Sequence, residues 1–368
     1  MAPYTISDSV VKGRANHFTL MRLAAAYAVL FAHSYALSTG HAGRDPITKL
    51  IYSWWGQGAG SVAVVTFFVI SGFLISASYL HRDNIFGFLE ARILRIFPAL
   101  FIAVLLCVFV VGAWVTSLSL DNYFSNRGTW SFVWNNITLL GGVQLKLPGV
   151  FLENPWAGGV NGSLWTLPIE LYMYCMVMLV GLLGILKQRA LFNLFAIVFC
   201  MALFVLQQEW LLIDGIPAKH ASLMMAYIAG VFFYVNRAFI PLNMPTFLFV
   251  MVSLFLLHET VVWPVVQVFG FAYIVLFLAL HPQVRLPNID KWGDYSYGLY
   301  IYAFPVQQLV AKYITTSPIE MLFYSTLITF PLAVLSWKYV EKPALRLKGK
   351  IPMGRKWLDP RVREEPKA

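Results

Sequence analysis

Charged residues are scarce in this chain. Only 12% of its 368 residues are Asp, Glu, Lys or Arg, whereas 59% are hydrophobic, and its mean hydropathy is +0.68. A soluble domain has about a quarter of its residues charged, so this composition excludes a soluble globular protein. The apolar residues occur in long runs, which predict transmembrane helices because open sheets cannot cross lipid. We therefore predict an all-α, polytopic membrane bundle without a soluble catalytic domain.

Features of several other protein classes are also missing. The three cysteines, Cys107, Cys175 and Cys200, lie in apolar runs without the spacing of a zinc site, so we expect buried free thiols and no metal. The sequence has no glycine-rich phosphate loop. The first apolar run, from about Phe18, lacks a small-residue cleavage site and leads into further spans, so we expect no cleavable signal peptide.

The apolar runs are interpreted as ten membrane spans. Each is close to the roughly 20 residues that a bilayer requires, although the sixth and seventh are short. The seventh and eighth are the least well defined, because Pro245 and Pro264 interrupt them. Together the spans form a transmembrane domain over 1–345, followed by a basic tail over 346–368. The predicted spans are residues 18–37, 61–80, 97–118, 164–186, 191–207, 221–235, 246–259, 261–280, 295–313 and 320–340.

The distribution of Lys and Arg predicts the orientation of the bundle. If the N-terminus lies in the cytoplasm, most of these residues, including the cluster from Lys338 to Lys367, fall on the cytoplasmic side, as the positive-inside rule requires. Both termini are then cytoplasmic. The net charge of +10 therefore indicates topology and contact with anionic lipids of the bilayer, and no nucleic-acid partner is expected.

The longest loop on the opposite side covers residues 121–162. It is rich in Asn, Gly, Trp and Pro. A loop of this length is usually functional or disordered, and its aromatic residues argue against disorder. We expect a structured loop that faces the periplasm.

Arg22 and His33 place two ionisable groups in the first predicted span. They are eleven residues apart, about 20° past three helical turns, so both side chains share one face about 16 Å apart along the axis. Arg22 is either an interfacial anchor or part of a site. His33 lies deeper, toward the far side. It either packs against a carbonyl or serves the function, and an ionisable residue inside a membrane is a functional candidate by default.

Two further elements mark the second and third spans. Ser71-Gly72 permits close helix packing and indicates at least a small-residue interface. Arg92 and Arg95 are spaced i, i+3 at the predicted cytoplasmic mouth, so their guanidinium groups leave the same face, and Pro98 is expected to begin the next span. The pair is either a positive-inside anchor or a fork that holds phosphates.

Glu170 is predicted to lie about two turns inside the fourth span, where Pro168 should loosen the helix and free backbone groups. A carboxylate at that depth needs a partner. Since His33 is predicted at a comparable depth, a His33–Glu170 pair is the simplest hypothesis. The alternative is a structural Glu170 bonded to Tyr or Trp.

Polar residues also mark the last two spans. Tyr and Gln line residues 293–308, and they suit a polar cavity, a sugar contact, an interface belt or helix–helix hydrogen bonds. Glu341, where the final span ends, could pair with a nearby arginine, and we favour a structural role for it.

In this order, the motifs resemble the integral-membrane acyltransferase family 3, and the resemblance covers nearly the whole chain. The chain departs from the family's pattern in the ninth span, where Ala303 stands in place of a histidine that many members have before an aromatic-Pro pair. Any catalytic duty of that histidine is therefore absent. The matching elements are Arg-x10-His at Arg22 and His33, FF-x-x-SGF at 67–73, R-x-x-R-I-x-P at 92–98, SLW…E at 163–170, SYGLY at 296–300 and E-x-P at 341–343.

The resemblance implies transfer of an acyl group, usually acetyl from acetyl-CoA, to a hydroxyl of a cell-envelope, secreted or signalling glycan. We expect the protein to lie in the bacterial inner membrane. The expected acceptor is a polysaccharide, a lipid-linked sugar or a lipochitooligosaccharide. We expect acyl-CoA as a co-substrate and no permanently bound cofactor. A proton-coupled exporter of a glycan or lipid is the alternative, because broken helices and a buried Arg–His–Glu set also suit a transporter.

The resulting hypothesis assigns a role to each candidate residue. Neutral His33 acts as general base on a sugar hydroxyl, and Glu170 orients its imidazole. An acyl-histidine intermediate is a variant of this mechanism. A backbone N–H near Pro168 is one candidate to stabilise the oxyanion. The CoA phosphates are assigned to Arg22, Arg92 and Arg95, and the side-chain candidates for contact with the substrate or oxyanion are Ser71, Trp165 and Tyr297.

Overall fold

The computed structural model describes residues 4–11, 16–81, 84–207 and 218–350. Within these ranges the chain is helical, and its only β-structure consists of two isolated bridges. Ten long helices correspond one to one to the ten predicted spans. They are α1 (Phe18–Thr39), α2 (Ala59–Leu80), α3 (Ile85–Leu105), α4 (Leu167–Leu182), α5 (Arg189–Gln207), α6 (Ala218–Val235), α7 (Met244–Leu256), α8 (Trp263–Leu280), α9 (Ser296–Tyr313) and α10 (Pro318–Ser336).

The helices have the length and composition of a multi-pass membrane protein. Seven of the described helical runs are long and apolar enough to cross a membrane, which confirms the predicted class. α6 and α7 are apolar but shorter, as expected from their predicted lengths. α9 is not among the seven, because its Tyr, Gln and Lys side chains lower its hydropathy.

The third helix begins at Ile85 rather than near residue 97, so its predicted start was wrong. Asn84 caps it by accepting the N–H of Phe86 at 2.9 Å. Pro98 consequently lies inside α3 instead of beginning it. The arginines near residue 92 therefore project from the body of a helix and not from a preceding loop. A π-helical segment, Leu106–Gly112, extends the same helix toward the long loop.

Pro245 and Pro264 begin helices and do not interrupt them. Each lies in the first turn of its helix, α7 or α8, where a missing backbone N–H removes no hydrogen bond. Asn243 also caps α7 by accepting the N–H of Thr246 at 2.9 Å. The predicted interruptions of these two spans were therefore wrong.

The centre of the bundle is formed by α1, α2, α6 and α9. α2 packs along α6, and α1 packs between α2 and α9. Gly72 of α2 allows the closest approach, since a Cβ there would collide with the carbonyl oxygen of Tyr227 in α6. Gly230 of α6 faces the backbone of α2 in the same way, at Val69. The small-residue interface predicted at Ser71-Gly72 is confirmed.

The long loop is structured, as its aromatic residues predicted. It contains the short helices Leu120–Ser125 and Arg127–Thr138. Asn154 Nδ2 donates to the carbonyl oxygen of Gln308 at 2.9 Å and to its Oε1 at 2.8 Å. Asn161 Nδ2 donates to the carbonyl oxygen of Ile301 at 2.9 Å. These bonds attach the loop to α9, and the side of the membrane that it faces stays a prediction.

The glutamines of α9 join parts of the bundle. Gln307 Nε2 donates to the carbonyl oxygen of Leu30 and to Oγ of Ser34 in α1, both at 2.8 Å. Gln308 holds the long loop, as described above. Among the roles left open for the polar residues of this span, the structure assigns helix–helix and helix–loop hydrogen bonds to both glutamines.

Residues 346–350 are the described part of the predicted basic tail, and 351–368 lie outside the described residues. This first part packs against α3, because the N–H of Gly349 donates to both carboxylate oxygens of Glu90 at 3.0 Å. Two of the three free cysteines, Cys107 and Cys200, are buried as expected. Cys175 is exposed on α4, so its predicted burial was wrong.

Candidate active site

A cavity of about 380 Å³ lies at the end of the bundle where α1, α3 and α9 begin. Arg22, Arg92 and Arg95 all line it, together with the carboxylates of Asp294 and Glu170. The arginines come from helices that start at the same end, so the fold brings together residues that are distant in the sequence. We call this space the arginine cavity.

Arg22 and Arg95 share one carboxylate. Arg22 Nη1 and Arg95 Nη2 each lie 2.7 Å from Oδ2 of Asp294. Arg95 Nη1 also lies 3.7 Å from Oε2 of Glu341, so this glutamate forms the pair with an arginine that the sequence left open. Burial raises the pKa of Asp294, but the two guanidinium groups and hydrogen bonds from Ser296 outweigh burial and lower the pKa to about 2. The charges of these two arginines are therefore largely compensated within the protein.

Arg92 is held differently. Its guanidinium group packs over the rings of Phe88, at 5.9 Å, and Tyr174, at 5.7 Å. Among the described residues, no carboxylate lies within ion-pair distance of Arg92, and its buried Nε has no hydrogen-bond partner. Of the three arginines, Arg92 is thus the one whose charge remains available to an anionic ligand.

Glu170 bonds to a tyrosine and a serine. Its Oε1 accepts hydrogen bonds from the hydroxyl of Tyr174 and, at 3.4 Å, from the hydroxyl of Ser71. His33 lines a different cavity, and no hydrogen bond joins the two residues in the part of the chain that the structure describes. The predicted His33–Glu170 pair was therefore wrong, and the alternative of a tyrosine-bonded glutamate is confirmed.

Pro168 and Glu170 both lie in the first turn of α4, which begins at Leu167. The 3-10 helix Gly162–Thr166 directly precedes α4, and together they form one helical run, Gly162–Leu182. Glu170 therefore lies about two turns inside this run, which confirms its predicted depth. Pro168 lies just after the change from 3-10 helix to α-helix, and the predicted freeing of a backbone group there stays a prediction.

Two of the proposed oxyanion contacts are on the arginine side. The hydroxyl of Tyr297 donates to the carbonyl oxygen of Ile96 at 2.9 Å, and its ring packs on Arg95 at 5.8 Å. Its proton is thus already engaged. Ser71 lines the same cavity and bonds to Glu170. The structure does not bring Ser71 or Tyr297 into the cavity that His33 lines, and their contact with an oxyanion stays a prediction.

His33 lines a second cavity, of about 350 Å³, formed where α1 ends and α2 begins. Its ring meets Phe304 of α9 edge to face, with 5.2 Å between the ring centroids. Its buried Nδ1 has no hydrogen-bond partner among the described residues. A buried polar atom without a partner is costly, which makes it a natural position for a ligand hydroxyl. We call this space the histidine cavity.

Trp165 also lines the histidine cavity. Its ring stacks on His220 with centroids 5.4 Å apart, and Lys219 Nζ lies 4.8 Å from its centre. Both partners come from the start of α6. Of the three candidate contacts for substrate or oxyanion, Trp165 is the one that the structure puts in the same cavity as His33.

The two cavities meet inside the bundle. Val64 of α2 and Tyr300 of α9 line both of them. The Tyr300 hydroxyl is hydrogen bonded to that of Thr166 at 2.9 Å. The arrangement therefore consists of a cationic cavity at one end, a histidine cavity toward the other end, and a thin wall between them.

Asp294 and Tyr300 are the site residues that sequence reasoning missed. Asp294 precedes the ninth span on the side of the membrane that carries the arginines. Because arginines inside a membrane need a counter-charge, a search for a carboxylate on that side would have found it. Nothing in the sequence distinguishes Tyr300 from the neighbouring tyrosines, because Tyr297 and Tyr302 fit the same local pattern. Their different roles depend on what each meets across the bundle.

Comparisons with known proteins agree with this architecture. The model of the acyltransferase domain of acyltransferase family 3 matches residues 16–338. The chain is 30% identical over 347 residues to an O-acetyl transferase of Shigella phage Sf6, covering 89% of this chain and 96% of that protein. It is 27% identical over 382 residues to Nodulation protein 10 of Rhizobium leguminosarum bv. viciae, covering 93% and 96%. No solved structure matches significantly. The chain belongs to acyltransferase family 3 and is a multi-pass membrane acyltransferase.

Proposed function

We propose that this protein transfers an acyl group, expected to be acetyl, from acyl-CoA to a hydroxyl of a glycan. The observation that carries the proposal is the pair of cavities: three arginines line one, His33 lines the other, and they share a wall inside one bundle. A donor and an acceptor can therefore approach from opposite ends. We place the protein in the bacterial inner membrane with both termini in the cytoplasm, so the arginine cavity faces the cytoplasmic pool of acyl-CoA.

The arginine cavity suits the nucleotide part of CoA, which is strongly anionic. Arg92 supplies a charge without a carboxylate partner among the described residues, and Lys348 also lines the cavity. Arg22 and Arg95 contribute further N–H donors while their positions are held by Asp294. Planar guanidinium groups are well matched to phosphates, because they offer two parallel hydrogen bonds.

His33 is proposed as the general base. One ring nitrogen takes the proton of the acceptor hydroxyl, whose oxygen attacks the thioester carbonyl and forms the ester. The CoA thiolate leaves and receives the proton, which gives free CoA and the acylated acceptor. A neutral imidazole is suited to this role at physiological pH. Transfer through an acyl-histidine intermediate uses the same residue and is the variant of this mechanism.

The contacts of Glu170 support a role other than the one predicted from the sequence. Because it bonds to Tyr174 and lines the arginine cavity, it cannot orient His33 in this conformation. We propose that it is a positioning residue on the donor side. Its carboxylate fixes the tyrosine ring on which Arg92 packs, and in this way it holds Arg92 toward the donor.

A glycan acceptor is supported by the relatives. One is named as an O-acetyl transferase of a phage, and the other is named as a nodulation protein. We propose an envelope, secreted or signalling glycan, in the form of a polysaccharide, a lipid-linked sugar or a lipochitooligosaccharide. Trp165 offers an aromatic face in the histidine cavity, on which a sugar ring can stack.

The test uses the purified protein in detergent, with acetyl-CoA and a glycan extract from the host. We expect release of free CoA and a glycan mass increase of one acetyl group, without any ion gradient. His33→Ala should lower the rate by roughly 10²–10⁴, as expected for loss of a general base. A protein that acts only in sealed vesicles under a gradient would support the exporter alternative and contradict this proposal.

A further inference from the structure

The wall between the two cavities is built from three elements. Val64 of α2 and Tyr300 of α9 line both cavities. The third element is the short 3-10 helix Gly162–Thr166, in which Thr166 lines the arginine cavity and its neighbour Trp165 lines the histidine cavity. We call Val64, Thr166 and Tyr300 the partition.

The ring of Tyr300 is fixed at several points. Its hydroxyl is 2.9 Å from Oγ1 of Thr166, and both residues are buried. Phe67 of α2 packs against the ring edge to face, with centroids 5.9 Å apart. Because the hydroxyl is hydrogen bonded and the ring is packed against Phe67, the ring of Tyr300 cannot rotate away unless the hydrogen bond breaks. The partition is therefore a defined wall and not a flexible side chain at a cavity rim.

The position of Tyr300 along α9 is also informative. Tyr297, Tyr300 and Phe304 are spaced i, i+3 and i+7, so they share one face of the helix over about 10 Å. Tyr297 packs on Arg95, and Phe304 packs on His33. Tyr300 lies between these two contacts. An acyl group that extends from the arginine cavity toward His33 therefore meets the ring of Tyr300.

We propose that Tyr300 sets the length of the acyl group that this enzyme transfers. The inference rests on the proposed function, in which an acyl-CoA donor enters through the arginine cavity. The thioester carbonyl and the acceptor hydroxyl have to meet at the partition, where the two cavities adjoin, so the carbons of the acyl group have to fit against Val64 and Tyr300. Acetyl adds one methyl group, whereas each further methylene would have to displace the tethered ring. The partition thus selects a short acyl donor over a longer one.

The test compares butyryl-CoA with acetyl-CoA on the purified full-length protein. For each variant we measure the ratio of kcat/KM for the two donors, which does not depend on the fraction of folded protein. One methylene in a confining pocket changes specificity by roughly 10–200-fold. Tyr300→Ala should raise the butyryl-to-acetyl ratio at least about 10-fold. Tyr300→Phe keeps the ring and loses only the hydrogen bond to Thr166, so its ratio should rise by about 3-fold or less.

Tyr302→Ala is the matched control. This tyrosine lies on the same helix, is also buried, and donates a hydrogen bond to Ser336 at 3.4 Å, but it lines neither cavity. Its replacement should leave the donor ratio unchanged even if total activity falls. Should Tyr300→Ala fail to fold, Val64→Ala thins the opposite side of the partition and should shift the ratio in the same direction.

The outcomes separate the two proposals. Suppose that the wild type transfers acetyl but that neither Tyr300→Ala nor Val64→Ala changes the butyryl-to-acetyl ratio. This result would overturn the proposed role of Tyr300 and would leave the proposed function intact. An equal rise of the ratio in Tyr302→Ala would also overturn it, because a general loosening of α9 would then explain the result. Wild-type protein that transfers no acyl group from any acyl-CoA would overturn the proposed function itself.

Discussion

Replacing Asp294 by Asn tests the charge cluster that holds two of the three arginines. Oδ2 of Asp294 is 2.7 Å from a nitrogen of Arg22 and from one of Arg95, and its side chain is only 15% exposed. An amide keeps the shape but removes the charge. The two guanidinium groups would then repel each other, with only Glu341, at 3.7 Å from Arg95, left to compensate. We expect the variant to be less stable than the wild type.

The size of this loss follows from the pKa of Asp294. Burial raises that pKa, but the pairs with Arg22 and Arg95 lower it more, from an ordinary 3.8 to about 2. At about 1.36 kcal/mol per pH unit, this difference corresponds to about 2.4 kcal/mol of stability. Removing one partner of a buried pair costs about 3–5 kcal/mol. We therefore expect Asp294→Asn to reduce the free energy of unfolding by about 2–5 kcal/mol at neutral pH.

The same cluster predicts a pH dependence with a definite sign. The pKa of Asp294 is lower in the folded state than in the unfolded state, so its contribution is complete above the unfolded pKa of about 4. That contribution is lost as the pH falls through about 2. The wild type should therefore lose the additional stability between about pH 4 and pH 2. Asp294→Asn should lack this component.

Thermal unfolding in detergent, followed by circular dichroism from pH 7 to pH 2, measures both effects. Asp290→Asn is the matched control, because Asp290 lies in the same loop but is exposed and has no ion pair among the described residues. The control should unfold like the wild type. An Asp294→Asn variant with the melting temperature of the wild type at pH 7 would refute the reasoning, since the cluster would then contribute nothing to the fold.

Three further predictions concern the cavities and the orientation of the bundle. Arg92→Ala should raise the KM for acetyl-CoA by roughly 10- to 150-fold with kcat nearly unchanged, because a phosphate contact holds ground and transition states equally; an equal effect on acetyl-pantetheine, which lacks the nucleotide, would contradict that contact. Glu170→Gln should also raise the KM for acetyl-CoA. Its effect should be additive with that of His33→Ala in steady-state assays, because the two residues line different cavities. Strong non-additivity would show that the two residues act together. Two single-cysteine variants, Ser125→Cys and Gln188→Cys, are made on a background without the native cysteines. In cells with a permeable outer membrane, a membrane-impermeant maleimide should label only the cysteine at position 125. The reverse pattern would invert the proposed orientation.

The number and type of the helices could be predicted because lipid leaves the chain few choices. A backbone in hydrocarbon must satisfy its own hydrogen bonds, so each long apolar run becomes a helix regardless of its neighbours. The start of α3 was missed for a related reason. Residues 85–96 include Glu90, Arg92 and Arg95, and these charges end the apolar run although the helix continues. Only the bundle makes these charges compatible with their position. Arg95 pairs there with Asp294 and Glu341, Arg92 packs over two aromatic rings, and Glu90 accepts the N–H of Gly349.

The candidate site could be predicted only in part. Depth along a helix follows from the sequence, which is why Arg22 and His33 were correctly expected at different levels of α1. The sequence does not determine which neighbouring helix each side chain faces. Glu170 was paired with His33 because both were assigned the same depth, yet the rotation of α4 directs the carboxylate to Tyr174 and Ser71.

The sequence alone determined the membrane class and the ten helices, because these depend on composition and run length, and its local motifs supplied most of the candidate site residues. Tertiary structure decided which of these residues meet. Asp294 pairs with Arg22 and Arg95, whereas Arg92 has no carboxylate partner among the described residues, and Tyr300 separates the arginine cavity from the histidine cavity. These contacts join α1, α3 and α9, and their geometry depends on how each helix rotates and packs against the others. A linear pattern specifies the faces of a helix, but the partner of each face is selected by the packing of the whole bundle.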